Sequence, residues 1–147
     1  MTECVFCAIR DGTEPASLVF EDAECLAFMN IRPIRPGECM VIPRAHIDHF
    51  VDIPDLLAAH IMVVAQRLAR AQMKVFRPLR VGYVVHGFGV PHAHLNCVPL
   101  HDGSDIISAR HIVTDHAFAI SETGLDAPAR DLLDTQAQQL RHAVYSA

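Results

Sequence analysis

Two histidines and an asparagine alternate with apolar residues in the stretch Val90-Pro91-His92-Ala93-His94-Leu95-Asn96-Cys97-Val98. Side chains of an extended chain point to opposite faces in turn, so a strand here would place His92, His94, Asn96 and Val98 on one face. The apolar residues between them would point to the other face, which suits a core. Imidazoles are costly on a sheet unless that face does chemistry, and histidine changes charge near neutral pH. The stretch therefore predicts a strand with a reactive face.

Length and composition predict one globular domain. The chain has 147 residues, of which 51% are hydrophobic, and no apolar run is long enough for a membrane helix. The N-terminus has no basic segment followed by an apolar one, which is the pattern of a secretory signal. We therefore expect a cytoplasmic protein that does not bind a membrane.

The charge balance argues against a surface for polymeric nucleic acid. The formal net charge is −5, and the chain has a single lysine, Lys74, and no run of basic residues. Phosphate backbones are bound by clustered basic side chains, which this sequence lacks. Single arginines such as Arg32, Arg35 and Arg44 remain suited to a small phosphate ligand, because a guanidinium makes bidentate contacts.

Short strands precede a long helix. The sequence predicts strands over 18–21, 25–28, 39–42 and 80–85, and then the histidine-containing strand. A helix is predicted over 54–76, with Pro54 in its first turn and apolar residues that recur every three or four positions. A second helix is predicted over 127–145. This order favours an α+β fold in which the long helix packs on one face of an antiparallel sheet.

The five cysteines fall into two groups. Cys25, Cys39 and Cys97 lie among apolar residues, and we interpret them as small core residues. Cys4 and Cys7 form a Cys-x-x-Cys pair, which in a cytosolic chain more often binds metal or does redox chemistry than forms a disulfide. The spacing alone leaves open a metal site and two reduced cysteines without metal.

Four stretches together resemble the histidine triad (HIT) family. The family signature reads His, apolar, His, apolar, His, apolar, apolar, and residues 92–98 match it with Asn96 in place of the third histidine. Residues 4–12 resemble the opening of the zinc-containing bacterial branch, 28–33 its nucleoside-pocket segment, and 41–46 its strand that ends in Pro, a basic residue, any residue and His. The resemblance covers about residues 4–100 and leaves 101–147 as a C-terminal extension of a single domain, 1–147.

The resemblance implies a fold and a reaction. The fold is a five-stranded antiparallel sheet with one long helix, here joined by a C-terminal helix, and members are commonly homodimers. By position, His94 would attack the α-phosphorus of a nucleoside phosphoramidate or dinucleoside polyphosphate and form a nucleotidyl-histidine intermediate. His92 lies beside it in the catalytic set. Asn96 replaces a histidine that is often assigned to help the leaving group, and an asparagine hydrogen-bonds phosphate but is not an acid.

The resemblance also implies the ligand-binding residues. Nucleotide contacts fall on Asn30 for the ribose, on Gly89 and Asn96 for the phosphate, and on Phe20, Phe28 and Ile31 for the base. Structural zinc would be held by Cys4, Cys7, His46 and His92. The three apolar residues also fit a plain core position, because aromatic side chains on strands are usually buried.

Two other functions remain open from the sequence. One is a nucleotide-binding protein of the same fold with little catalysis, acting as a regulatory or partner-docking module. The other is a zinc-stabilised structural domain whose ligand is not a nucleotide. Asn96 is the residue that keeps the first alternative open, although a related nucleotidyltransferase branch carries glutamine at this position and is active.

Overall fold

A computed structural model describes residues 4–106, 112–115, 117–120 and 124–146. The elements in chain order are α1 (Val5–Arg10), β1 (Leu18–Glu21), β2 (Cys25–Met29), β3 (Cys39–Pro43), a 3-10 turn (Phe50–Asp52), α2 (Asp55–Phe76), β4 (Arg80–Val84), β5 (Leu95–Leu100), β6 (Ile112–Asp115), β7 (Ala117–Ile120) and α3 (Arg130–Tyr145). Among the described residues, no helix combines the length and apolar character that crossing a bilayer requires.

Five strands form one antiparallel sheet in the order β1-β2-β3-β5-β4. Strands β6 and β7 pair separately as a two-stranded antiparallel hairpin. The predicted α+β class and five-stranded sheet are confirmed. The strands predicted over 18–21, 25–28, 39–42 and 80–85 end within one residue of those observed.

The two faces of the sheet carry different partners. Alternate residues of β2 and β3 contribute to the main core, in which α2 and α3 pack on one face through Ile61, Leu68, Leu133 and Leu140. The other face holds a smaller apolar cluster under α1, which contains Phe6, Leu26, Phe28, Met40 and Ile42. Because α3 packs into the main core, this helix of the C-terminal extension is part of the folded sheet-and-helix body.

The histidine-containing strand begins later than predicted. β5 starts at Leu95, so His92 and His94 precede the strand instead of lying within it. The register that pairs Val41 with Leu95 would next place Pro43 opposite Ala93, and a proline has no N–H to donate. The Ala93 N–H instead donates to the carbonyl of Ile47, 2.7 Å away, in the loop after β3.

The predicted alternation of faces nevertheless holds. Ala93, Leu95 and Cys97 are buried in the main core beneath the helices. His94 and Asn96 face the other side of the sheet, together with Val98. Cys25 and Cys39 are also fully buried in the main core, which confirms the three cysteines as core residues.

Candidate functional site

A Cys–His cluster forms where α1 meets the loops around β3 and β5. It consists of Cys4, Cys7, His46 and His92, whose candidate ligand atoms all lie within 4.8 Å of one another. The Cys4 Sγ is 3.5 Å from His92 Nδ1, and the Cys7 Sγ is 3.3 Å from His46 Nδ1 and 3.7 Å from His92 Nδ1. The structure thus brings together the four residues that the family resemblance implied as one ligand set.

The dimensions of the Cys–His cluster fit a tetrahedral metal ion. Zinc binds thiolate sulfur at about 2.3 Å and imidazole nitrogen at about 2.0–2.1 Å, so at a tetrahedral angle a sulfur and a nitrogen lie about 3.5 Å apart. The three sulfur–nitrogen distances, 3.3 to 3.7 Å, bracket this value. Two thiols and two imidazoles are also the donor types that a structural zinc site uses.

The tautomer of His92 suits this role. Its Nε2 lies 2.9 Å from the carbonyl oxygen of Pro43, which accepts and cannot donate, so Nε2 carries the proton and Nδ1 presents a lone pair to the two sulfurs. The ring is fully buried, and burial lowers its pKa below the ordinary histidine value, so the neutral form is favoured. A backbone carbonyl that orients a histidine in this way is the usual support for a metal ligand.

A second group of candidate ligand atoms is less suitable. Asp22, Cys25 and His60 also bring three such atoms within 4.8 Å of one another. However, the Asp22 carboxylate already accepts bonds from two backbone N–H groups and from His60 at 2.7 Å, an arrangement typical of a turn. Burial raises the pKa of the Cys25 thiol to about 12, so that cysteine stays protonated at neutral pH.

His94 lies two residues from the Cys–His cluster and is 8% exposed. Its Nδ1 is 2.8 Å from the carbonyl oxygen of His92. Because a carbonyl only accepts, Nδ1 must hold the proton, and the Nε2 of the neutral ring has the free lone pair. The Phe6 ring packs edge-on against both imidazoles, at centroid distances of 5.4 Å to His94 and 5.9 Å to His92. Two contacts therefore fix the ring of His94.

A cavity of about 370 Å³, here called the His94 cavity, opens in front of this ring. Its wall is mostly apolar, and His86, Glu38, Asn96 and His94 are its polar side chains. The lining residues are Ile34, Glu38, Val84, His86, Gly87, Phe88, Gly89, His94, Asn96, Val98, Ile106 and Leu125. No lysine or arginine is among these residues, so in the described part of the chain the cavity has no cationic wall.

Two of the predicted phosphate contacts lie in this cavity. Gly89 and Asn96 both line it beside His94. The buried Oδ1 of Asn96 has no hydrogen-bond partner among the described residues. A buried polar atom without a partner is unusual in a folded protein, and the position is suited to a ligand group that supplies the missing bond.

The predicted ribose residue, Asn30, lies at the end of β2 and is 4% exposed. Its Nδ2 donates to the Glu38 carboxylate at 2.9 Å, and its Oδ1 accepts from the Arg32 N–H at 2.9 Å. The second carboxylate oxygen of Glu38 accepts from the Ile34 N–H at 2.6 Å. Asn30 and Glu38 therefore shape the loop 30–38, and Glu38 and Ile34 carry that loop to the His94 cavity.

The residues proposed for the base separate into two groups. Phe28 lies on the α1 face, where its ring packs edge-on against Phe6 at 5.3 Å, and Ile31 is 56% exposed beyond the end of the same strand. Phe20 is on the opposite face, stacked on Tyr145 at 5.8 Å under the guanidinium of Arg67. The assignment of Phe20 to the base pocket is therefore wrong, because the strand alternation turns it toward the helices.

Comparison with known proteins adds to this geometry. The HIT domain family matches residues 11–103. The chain belongs to the HIT family. An uncharacterized HIT-like protein of Mycobacterium tuberculosis (strain CDC 1551 / Oshkosh) is 30% identical over 142 residues, which is 92% of this chain and 94% of that protein.

Two further HIT relatives bear on the site. The adenosine 5′-monophosphoramidase of Saccharomyces cerevisiae is 30% identical over 100 residues, 67% of this chain and 63% of that protein. The crystal structure of a zinc-bound histidine triad family protein from Mycobacterium smegmatis superposes with a TM-score of 0.77 at 29% identity, and the match covers 98% of this chain and 94% of that one. The superposed length includes the C-terminal extension.

Sequence reasoning missed several residues of this HIT site. Glu38 was detectable as a lone charged residue before an apolar strand, whereas Ile106 and Leu125 come from the extension, where the sequence resembles no motif. Phe88, 88% exposed at the tip of the loop before His92, also lines the cavity. These residues are contributed by loops, and loop positions carry no periodic signal.

Proposed function

We propose that the protein is a HIT-type hydrolase or transferase that acts on the α-phosphate of a nucleoside phosphate derivative. The observation that carries the proposal is the 2.8 Å contact between His94 Nδ1 and the His92 carbonyl, which leaves Nε2 as the nucleophilic nitrogen beside a cavity. An imidazole held in one tautomer by its other nitrogen is an activated nucleophile.

The reaction has two displacements. In the first, His94 Nε2 attacks the α-phosphorus, the bond to the leaving group breaks, and a nucleotidyl-histidine forms. In the second, water or another acceptor attacks the same phosphorus and releases His94. The Asn96 amide and the Gly89 N–H would hydrogen-bond the phosphate oxygens, because both line the cavity next to His94. The Nδ1–carbonyl bond stabilises the imidazolium character that develops on His94.

The cavity wall favours one of the two substrate classes. A dinucleoside polyphosphate would bring a second set of phosphate charges into a cavity whose described lining residues are mostly apolar and include the carboxylate of Glu38 but no lysine or arginine. Burying such charges without partners is strongly unfavourable. An amine leaving group carries no negative charge and suits the same wall. A nucleoside phosphoramidate is therefore the substrate we favour, and a relative named as an adenosine 5′-monophosphoramidase supports this.

The nucleoside would lie toward the α1 face. The exposed Ile31 offers apolar surface for a base beyond the end of β2, above the buried Phe28, and Asn30 lies between the two along the chain. The amide oxygen of Asn30 already accepts one backbone bond, and the amide nitrogen is bonded to Glu38. A ribose hydroxyl would therefore share the second lone pair of that oxygen.

Zinc would be a structural cofactor held by Cys4, Cys7, His46 and His92. Burial and the neighbouring Cys4 raise the pKa of the Cys7 thiol in the absence of metal, and a divalent cation would stabilise the thiolate form instead. The ion would tie α1 to His92. Because the carbonyl of His92 orients His94, the same tie would support the nucleophile.

The direct test uses an adenosine 5′-phosphoramidate as substrate. We expect the purified protein to release AMP and His94→Ala to lose nearly all of this activity. Brief incubation of the wild type should give a covalent nucleotidyl adduct that mass spectrometry detects on the intact protein. Equal turnover by wild type and His94→Ala would refute the proposal that the protein is an enzyme that acts through His94. Tight AMP binding without turnover or adduct would favour the nucleotide-binding module.

A further inference from the structure

The proposed reaction lacks an acid at one position. Asn96 stands where the family pattern has a third histidine, and a neutral amide does not give up a proton to a leaving group. An alkyl amine leaves as a neutral molecule only if it gains a proton when its bond to phosphorus breaks. General acid catalysis contributes about 10²–10⁴-fold to such a step. A proton donor elsewhere in the cavity would therefore have a large effect.

We propose that His86 donates this proton. Continuing the pairing register of β4 and β5 by two residues puts His86 opposite His94, so that the His86 imidazole lies across the His94 cavity from the nucleophile. This assignment depends on the proposed function, because it names the group that serves the leaving side of the same reaction.

The register supports the placement. Strand β4 pairs with β5 from Arg80 opposite Leu100 to Val84 opposite Asn96. Two residues further along each chain are His86 and His94. Directly opposed side chains in an antiparallel pair share a face, and the next residues on that face are two positions away. Val84, Asn96, His86 and His94 accordingly all line the same cavity.

The ladder stops before the two histidines meet. The last pair is Val84 with Asn96, and beyond it the chain turns at Gly87, whose φ of +82° is readily adopted only by glycine. The separated chains leave a cavity lined by both imidazoles instead of a closed pair. The Phe88 ring lies 5.0 Å from the His86 ring and covers one side of it. An in-line displacement needs this arrangement, because the leaving group departs away from the nucleophile.

Glu38 also lines the cavity, but its carboxylate is held by hydrogen bonds within the loop 30–38. Glu38 is 3% exposed, and its two carboxylate oxygens accept bonds from Asn30 Nδ2 and the Ile34 N–H. Each oxygen is therefore already engaged in holding the loop 30–38. His94 is the nucleophile. Among the described residues that line the cavity, His86 is then the side chain left to act as a proton donor.

The proton moves as follows. In the first displacement the bond from His94 Nε2 to phosphorus forms, the bond from phosphorus to the amine nitrogen breaks, and the protonated His86 gives one proton to that nitrogen. In the second, water attacks phosphorus, His86 takes one proton of the water, and the bond from phosphorus to Nε2 breaks. His86 returns to its protonated form, His94 to its neutral form, and the product is the nucleoside monophosphate.

The test compares two leaving groups in one variant. The substrates are an adenosine 5′-phosphoramidate of an alkyl amine, which needs protonation to leave, and adenosine 5′-(4-nitrophenyl) phosphate, whose phenolate leaves without it. We expect His86→Gln to lose about 10²-fold or more in kcat/KM on the first substrate and less than about 5-fold on the second. His49→Gln, an exposed histidine outside the cavity, is the matched control and should change neither.

The outcomes separate this inference from the proposed function. If His86→Gln slows both substrates equally, or neither, His86 is not the acid, whether or not the His94 adduct forms. If His94→Ala turns over like the wild type, the proposed function fails instead. Restoration of the phosphoramidate activity by Asn96→His in the His86→Gln background would support the assignment, since an imidazole would again face the leaving group.

Discussion

The contact between Asn30 and Glu38 explains why an asparagine suits this position and an aspartate would not. The Asn30 amide donates to the carboxylate of Glu38, and both residues are nearly fully buried. An aspartate would face that carboxylate with a second negative charge at the same distance. Two carboxylates in contact cannot both ionise without a large penalty. The asparagine is therefore matched to Glu38, which in turn holds the loop 30–38 against the cavity.

The contact between Asn30 and Glu38 predicts that one substitution lowers the free energy of unfolding more than a matched pair of substitutions does. Asn30→Asp should lower the free energy of unfolding by about 2 kcal/mol, because a bond to a buried charged group is lost and a repulsion takes its place. Asn30→Asp combined with Glu38→Gln should recover most of that loss, since the amide then donates in the opposite direction. Urea unfolding at pH 7 measures both variants. A single variant as stable as the wild type would show that the two side chains do not interact.

The Cys–His cluster makes a separate prediction about metal. Protein purified without chelator should contain about one zinc ion per chain, and Cys7→Ser should lose most of it, because that sulfur is within 3.7 Å of both histidine Nδ1 atoms. His60→Gln is the matched control, since His60 belongs to the other group of candidate ligands. Metal content by mass spectrometry decides between the groups: zinc that persists in Cys7→Ser but is lost in His60→Gln would reverse the assignment.

The secondary-structure elements that the sequence predicts best are those with a clear period or a strong end signal. The strands between 18 and 85 and the long helix were predicted within one residue, because short apolar runs bounded by turn residues mark the strands and Pro54 and Pro78 mark the ends of the helix. The six-residue helix α1 was not predicted, since so short a segment has no helical period to detect. The hairpin of β6 and β7 was also missed, because residues 101–147 resemble no motif and their pairing is with each other.

The strand pattern predicted that His94 and Asn96 share a face, and the family resemblance supplied the members of the Cys–His cluster. His94, Asn96 and the Cys–His cluster are brought together as the motifs imply, while β5 begins three residues after His92 because Pro43 and Pro91 interrupt backbone pairing. Phe20 was misplaced, because an aromatic residue on a strand gives no sign of which face is occupied by helices. The extension's part in the cavity depends on tertiary contacts that no local sequence signal encodes.

One of those contacts joins two elements through charge. The Arg35 guanidinium, in the loop after β2, lies 2.7 Å from the Asp105 carboxylate at the start of the extension. The carboxylate also accepts from the N–H groups of His101 and Asp102. Burial alone would raise the pKa of Asp105, but these bonds outweigh it and hold the pKa at about 2, below the ordinary 3.8. The contact therefore holds Ile106, the next residue, at the cavity wall.

The lowered pKa gives a pH-dependent stability. A carboxylate that binds its proton more weakly in the folded state contributes its full stabilisation above pH 3.8 and loses it as the pH falls toward about 2. Asp105→Asn should therefore lower the free energy of unfolding by about 2 kcal/mol at pH 7 and by about half of that at pH 3. Asp126→Asn, at an exposed position, is the control. A deficit that is equal at both pH values would mean that the ion pair is not its source.

At the scale of the whole molecule, one face of the sheet packs against helices and the other carries the candidate sites. Helices α2 and α3 fill one face, while the Cys–His cluster and the His94 cavity occupy the other. The nucleophile lies where the two sites meet, since His92 belongs to the cluster and its carbonyl fixes His94. A substitution in either site should therefore affect the other, because His92 and His94 are only two residues apart in the backbone.

We propose that the predicted homodimer forms through the exposed surface of α2 and β4. Strand β4 is an edge of the sheet, and beside it α2 presents a groove lined by Gln66, Ala69, Arg70, Met73, Val81 and Tyr83. The side chains of Met73 and Tyr83 are about 40% exposed, and an edge strand with apolar neighbours is a ready site for pairing. A second copy of the chain placed here would cover both features by a two-fold axis.

We therefore expect the wild type to sediment as a dimer and Met73→Glu to sediment as a monomer. The free-energy cost of burying the glutamate charge without a partner would exceed the gain from the apolar contact. Leu132→Glu, an equally exposed apolar position on α3, should leave the dimer intact. Sedimentation velocity at several concentrations distinguishes these results. A wild type that stays monomeric at every concentration, or a Leu132→Glu variant that dissociates in place of Met73→Glu, would move the interface away from α2 and β4.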